Sequence, residues 1–484
     1  MMKLSQVFDW VNASRTYGSG EIDIKRVHTD TRSLQAGDLF VALKGETFDA
    51  STFLAQAKEL GAVAAIASTG LDAAGLPGLE VADAKLALGE LAAGWRAQFE
   101  LPLIAVTGSN GKTTVTQMIA SILRASKQDQ AFATQGNLNN DIGVPLTLLR
   151  LTGSHQIAVV ELGMNHPGEI AYLSQLVKPS VALVNNAQRE HLEFMGTVEA
   201  VARENGSVIE SLTAGGVAVF PGDDMYTSMW RQLADKRKTL TFGLDSAADV
   251  TGQAVWTADM WQVSAQTPAG SFEFHLQVAG MHNVKNALAA TACALAAGVP
   301  LGCIASGLSG FAPVMGRSRA VTLQLFTRNI TLVDDTYNAN PDSMRAAIDL
   351  LAELPGPHLL VMGDMGEVGT QGPQFHAEAG QYAQAKGIEN LFSLGAQAAL
   401  ANENFRGGQH FSDISALNEA LIAQLKTAGS VLIKGSRFMK MERAVAAITA
   451  YEKQQDHQQK QEQKQKQEQK QEQEQEKKDE SHAA

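Results

Sequence analysis

The sequence predicts an α/β chain of three domains: a small α/β N-terminal domain, a central P-loop-type domain whose mostly parallel sheet carries helices on both faces, and a Rossmann-like C-terminal domain. Three observations predict it. Short apolar runs bounded by turn residues alternate with helical stretches along most of the chain. One run, IAVTGSNGKTT at 104–114, passes through a Gly-bearing loop into a helical pattern. The strand–helix rhythm then restarts after GFAPVMGR at 310–317.

In order along the chain, 1–100 places DLFVAL, AVAAIA and LEVA as strands between the helical stretches TFLAQAKELGA and KLALGELAAGWRAQF. Pro102 opens the central domain, 101–313. There LIAVTG, AFATQ, IAVVELG, VALVNN and VAVFPGDD read as short buried strands, and NVKNALAATACALAAG at 283–298 as a small-residue helix. The C-terminal domain, 314–453, shows ITLVDDTYNANP, a helix from Ser343, HLLVMGDMGEVG, LFSLG and SVLIKGSR. Beyond 453 the Gln/Lys/Glu-rich segment 454–484 has almost nothing to bury and is expected as a disordered or partly helical solvated tail.

Composition narrows the class. With 484 residues, 45% apolar and 19% charged, the chain is globular and too long for one ordinary core. A formal charge of −12 offers no basic stripe, so no nucleic-acid partner is expected. MMKLSQVFDWVNAS has no signal-like apolar region, and no run reaches the roughly 18 apolar residues of a membrane span. A cytoplasmic monomer is expected. Cys293 and Cys303 are expected as two buried thiols rather than a disulfide.

In the loop, backbone N–H groups of Gly108, Ser109, Asn110, Gly111 and Lys112, with the helix start at Thr113 and Thr114, suit a triphosphate. Lys112 reaches the outer phosphates and the Thr113 hydroxyl suits Mg²⁺. The usual spacing wants a further glycine where Val106 stands. Glu161, in VVELGMNHPGEI, ends the next buried strand, where ligands of an open sheet bind. His191, in NNAQREHLEFMG, follows another strand, and with Thr113 and Glu161 completes an expected Mg²⁺ set. For Asn283 and Asn286 two readings stand: helix caps, or amides that read an adenine edge. Arg317 lies at the expected domain junction, and Asp334 and Asp335 end a strand where an acid suits ribose hydroxyls.

Together these stretches resemble the Mur ligase superfamily, the ATP-dependent amide-forming enzymes of peptidoglycan assembly. TGSNGKTT is similar to that family's loop, which does without the first glycine. ELG at 161–163, HLE at 191–193, HNVKNALAA at 282–290, GR at 316–317 and KGSR at 434–437 extend the resemblance from about residue 20 to 450. GNLNNDIGVPLTLL, DDTYNANPDSM and VMGDMGEVG resemble the members that join D-alanyl-D-alanine to a UDP-N-acetylmuramoyl-tripeptide. HTDTRSLQAGDLFVALKGETFDASTFL resembles the family's uridine-nucleotide domain, with Thr31 and Arg32 suited to the diphosphate.

The resemblance implies ATP and Mg²⁺ as cofactors. It also implies an acyl-phosphate intermediate, Lys112, Glu161 and His191 as catalytic groups, and closure of the third domain, which brings Arg317 and Asp335 to ATP. The amine site is implied toward Asn338 and Asn340, although both also read as turn formers before Pro341. One departure stands out. Many relatives carry a carbamoylated lysine some fourteen residues after the histidine, and Asn205 stands there, with Glu204 beside it as a candidate carboxylate. Two alternatives remain at this level: a folylpolyglutamate synthase, or a P-loop ATPase module with the tail as its partner arm.

Overall fold

The computed structural model describes residues 1–482 except 245–246, 258–259 and 327. Two compact units result: Met1–Gln277 with His282–Ala312, and the chain from Pro313 with Val278–Met281.

The first unit opens on a five-stranded sheet in the order Arg15–Tyr17, Gly78–Glu80, Ala64–Ala67, Asp38–Val41, Arg26–His28. Only its first pair is antiparallel. Residues 39–41 and Ala64–Ala67 are buried on both faces, hence their unbroken apolar runs. The helix Ala84–Arg96 starts where the Asp83 carboxylate accepts from the N–H groups of Lys85 and Leu86. Its last residue, buried Arg96, donates to the carbonyls of Val177 and Phe99 at 3.0 and 2.6 Å. Residues on both sides of residue 100 share one packed unit, whose apolar core runs from Met2 to Ala234.

The central sheet is built from β1 (Leu103–Thr107), β2 (Ala131–Ala133), β3 (Ile157–Glu161), β4 (Val181–Val184), β5 (Val217–Pro221) and β6 (Lys238–Phe242). The order is β6-β5-β4-β1-β3-β2, all parallel. Between them run α1 (Lys112–Lys127), α2 (Glu169–Val177) and α3 (Val198–Glu210), followed by α4 (Met281–Ala296). After β1 the chain moves toward β2, whereas α2 carries it from β3 back across β1 to β4. Right-handed crossovers of opposite sense put α1 on one face and α2 on the other. Accordingly α2 packs on α3, and α1 on the helix Leu301–Ser309. The carboxyl ends of β1, β3 and β4 meet where the winding reverses, the place where such sheets bind ligands.

Two features were not expected: β6, and an antiparallel sheet of Thr251–Thr257, Met260–Thr267 and Gly270–Leu276. In MWQVSAQT the buried Trp261, Val263 and Ala265 alternate with exposed Gln262, Ser264 and Gln266, a half-buried pattern rather than an apolar run. Cys293 is buried as expected, but Cys303 is only half-buried, and both are free thiols.

The second unit holds β7 (Arg319–Leu325), β8 (Arg328–Asp335), β9 (His358–Gly363), β10 (Asn390–Leu394), β11 (Gln409–Phe411) and β12 (Ser430–Lys434). The order is β7-β8-β12-β9-β10-β11, antiparallel only between β7 and β8. β7 and β11 enlarge the four-stranded expectation. The first helix here, α5 (Pro341–Glu353), begins two residues before the expected Ser343, because Asn340 and Ser343 form a capping box with Pro341 as the first helical residue. Next comes α6 (Gly372–Ala385), and α7 (Glu442–His482) runs on through the expected tail as one helix. Among the described residues no helix is long and apolar enough to cross a membrane.

Candidate active site

The phosphate loop leaves β1 at Thr107. Gly108 has φ +133° and Gly111 φ +80°, and a Cβ on Gly111 would lie 2.7 Å from Asn286 Oδ1, so a side chain is excluded there by both conformation and space. Val106, where the usual first glycine would stand, is a fully buried strand residue of β1 registered with Leu183 and Glu161. The loop is shorter than the usual one because the strand continues through that position. Three successive N–H groups are held by the protein itself. Gly108 donates to Asn205 Oδ1 at 3.1 Å, Ser109 to the Asn186 carbonyl at 3.1 Å, and Asn110 to Asn186 Oδ1 at 2.8 Å. The expectation that the whole loop faces an anion is thus narrowed to its end, Gly111 to Thr114, at the start of α1.

Lys112 Nζ donates to the carbonyls of Gly108 and Ser109 at 2.7 and 3.0 Å and to Glu190 Oε1 at 2.8 Å. His191 joins this pair, its Nε2 3.5 Å from Glu190 Oε1. The histidine backbone is left-handed, φ +49°, a conformation uncommon outside glycine that turns the chain into a short helix. On the neighbouring strand end, the Thr113 hydroxyl donates to Glu161 Oε1 at 3.0 Å, and Asn139 Nδ2 donates to the same oxygen at 2.7 Å. Glu161 is 1% exposed, and among the described residues its Oε2 has no partner. A hydroxyl beside a buried carboxylate with an open oxygen is a donor set that suits Mg²⁺, whose remaining positions go to waters and phosphate. Among the described residues no three His, Cys, Asp or Glu groups converge as a ready-made metal site. His191 lies with Glu190 and Lys112.

Carboxamides brace the loop. Asn185 Nδ2 donates to the Asn110 carbonyl and to Asn286 Oδ1, and Asn286 Nδ2 donates to Asn283 Oδ1. Neither Asn283 nor Asn286 caps α4, which begins earlier, at Met281. Asn286 reaches the phosphate loop, and Asn283, 2% exposed, stands behind it. Asn205 is wholly buried and accepts from the Thr107 hydroxyl at 2.7 Å as well as from Gly108. Glu204, the candidate carboxylate beside Asn205, is turned toward α2. Its Oε1 accepts from the N–H groups of Ile170 and Ala171, capping α2, since one residue along a helix turns a side chain by about 100°.

Elsewhere in the first unit, Thr31 and Arg32 open a short 3-10 turn capped by Asp30. The exposed Arg32 guanidinium forks onto the Asp30 carboxylate and holds its pKa down to about 2. In the second unit, Asp335 accepts from Lys434 Nζ at 2.6 Å and from Ser318 N–H at 2.9 Å. Arg317 stacks over the Tyr337 ring at 4.0 Å. Asn338 accepts from Ala339 N–H through its side chain and from Lys434 through its carbonyl. Asn340 commits its side-chain oxygen to the helix cap, the turn-forming role.

Asn139, Asn185, Asn186 and Glu190 escaped sequence reasoning as site residues. The signal was present: polar side chains crowd directly after the buried strand β4 in NNAQRE and in the loop after β2 in GNLNN, where a plain turn needs only one or two.

Comparison with known proteins agrees with this geometry. Residues 106–294 match the Mur ligase middle domain, 316–437 the Mur ligase glutamate ligase domain, and 23–96 the Mur ligase family catalytic domain. The UDP-N-acetylmuramoyl-tripeptide–D-alanyl-D-alanine ligase of Escherichia coli (strain K12) is 42% identical over 92% of this chain and 98% of its own. The crystal structure of MurF from Acinetobacter baumannii superposes with a TM-score of 0.86 at 38% identity, covering 92% of this chain and 98% of that one. MurF ligase from Thermotoga maritima in complex with ADP follows at 0.79 and 25%, covering 90% and 99%. With its phosphate loop, its strand-end glutamate and all three family domains present in order, the chain belongs to the Mur ligase family.

Proposed function

We propose that this chain is an ATP-dependent ligase that adds D-alanyl-D-alanine to a UDP-N-acetylmuramoyl-tripeptide, completing the cytoplasmic pentapeptide precursor of peptidoglycan. Near full-length similarity to ligases named for that pair of substrates carries the reading. The terminal carboxylate of the tripeptide takes the γ-phosphoryl of ATP, the amine attacks the acyl phosphate, and phosphate leaves.

The N–H groups from Gly111 onward and Lys112 spread the charge gathering on the transferred group. Thr113 and Glu161 are the residues that would hold Mg²⁺, which supplies charge neutralisation at the phosphates. His191 orients Glu190 and the turn around Lys112. Asn283 and Asn286 support the loop from behind, and Arg317 and Asp335 are assigned to the nucleotide. Thr31 and Arg32 are assigned to the uridine diphosphate and Asn338 to the amine side, with the working form a monomer.

Phosphate release by purified protein, with tripeptide and D-alanyl-D-alanine each added or withheld, tests the reading. Release that needs both, with the pentapeptide product identified by mass, supports it. Release independent of both overturns it in favour of an ATPase module. Release only with a folate and glutamate overturns the substrate and keeps the fold.

A further inference from the structure

The Lys112–Glu190 pair sits in the phosphate loop at a place that nucleotide must disturb. Both side chains are shielded, 15% and 10% exposed, and the ammonium is saturated by two carbonyls and Glu190 Oε1. Glu190 Oε2 is buried with no partner among the described residues. Among the described residues, the cation paired with this carboxylate is Lys112, with the His191 ring beside it. If Lys112 turns to a phosphate, a shielded carboxylate is left beside an incoming polyanion, an arrangement strongly penalised at low dielectric.

We infer that Glu190 is a counter-ion exchanger: Lys112 gives it up to the nucleotide, and the charge of the divalent cation that Thr113 and Glu161 would hold compensates Glu190 in its stead. This rests on the reading of residues 111–114 as the triphosphate cradle. Glu190 thereby makes productive nucleotide binding conditional on the metal, and keeps the phosphate-loop lysine neutralised until both arrive. It is a positioning residue for Lys112, and no covalent step passes through it.

The consequence is directional and opposite to that of losing an ordinary contact. Removing the carboxylate removes both the competitor for Lys112 and the repulsion of phosphate. Metal-free ADP should then bind at least about fivefold tighter to Glu190→Gln than to the wild type, a coupling in the usual range between linked sites. With Mg²⁺ saturating, that advantage should shrink to less than about twofold, while kcat falls. Glu190→Ala should shift ADP affinity the same way, so the test survives if one variant fails to fold. Calorimetric titration of ADP into the full chain, with Mg²⁺ or with chelator, reads all of this, and melting curves identify folded variants. Folded variants that bind metal-free ADP no tighter than the wild type overturn the exchange while leaving the cradle intact. A wild type that binds no ADP under either condition overturns the cradle and the exchange with it.

Discussion

The Thr113 hydroxyl donates to the Glu161 carboxylate at 3.0 Å, and among the described residues the second Glu161 oxygen is buried without a partner. One group comes from the first turn of α1 and the other from the last residue of β3, so the parallel register of β1 with β3 sets their approach. Glu161→Gln keeps the shape and the Asn139 contact but removes the charge. It should lower kcat by about 10²-fold or more, within the range of losing a preorganised charge at a phosphoryl-transfer site. Steady-state phosphate release beside a circular-dichroism spectrum checks this. A loss under about tenfold in a folded variant places the metal elsewhere.

Asn205 closes the back of the phosphate loop through two hydrogen bonds, from the Thr107 hydroxyl and Gly108 N–H. Asn205→Ala strands both donors in a buried place, each at a cost of about 1–3 kcal/mol. The urea midpoint should fall, and ADP affinity with it. A carboxamide also forms no carbamate with CO₂, so turnover should be equal in CO₂-depleted and bicarbonate-supplemented buffer. A marked bicarbonate requirement overturns this.

Some of this site was legible in the sequence and some was not, for physical reasons. Strands buried on both faces, such as β1, write unbroken apolar runs, so their ends, and Glu161 at one of them, stand out. Lys112 and Thr113 follow from the chemistry of an anion at a helix start. Glu190 reads as one charge among several in QREHLE, and only the adjacency of β1 and β4 brings it to Lys112 across 78 residues. Glu204 shows the opposite failure: a carboxylate in the right stretch whose helical direction spends it on capping α2. Asn340 reads equally as cap or contact until the Ser343 N–H is seen on its oxygen.

In the second unit, Lys434 is 4% exposed in its side chain and its ammonium lies 2.6 Å from Asp335 Oδ2. Replacing one partner of such a pair leaves the other charge buried, which costs about 3–5 kcal/mol. Asp335→Asn should therefore lower the stability of this unit by about that amount. Adding Lys434→Met to it should recover part of the loss, since the stranded charge is then gone. Urea unfolding of the two single variants and the double variant measures the coupling. Additive losses would show that the pair is not a unit.

His376, on α6, is fully buried and bonded on both nitrogens. Nδ1 meets the Gly372 carbonyl at 2.7 Å, and Nε2 accepts the Met365 N–H at 2.9 Å. That pattern defines a neutral ring protonated on Nδ1, and a second proton would point at the Met365 N–H. Burial holds its pKa below the usual 6.5, although the Gly372 carbonyl and Asp364 pull the other way. In the unfolded chain the ring takes its proton near the ordinary value, so between that value and the depressed one the unfolded state binds more protons. The neutral ring's contribution is therefore fully present above about pH 6.5 and is lost as pH falls through the depressed value. His376→Gln has no such proton to take. Its stability deficit against the wild type should be largest at neutral pH and should shrink as the solution is acidified, because only the wild type is losing ground. Other buried groups titrate in both proteins and cancel in the difference. Urea midpoints of the pair across that interval decide it: a deficit independent of pH removes His376 as the titrating group.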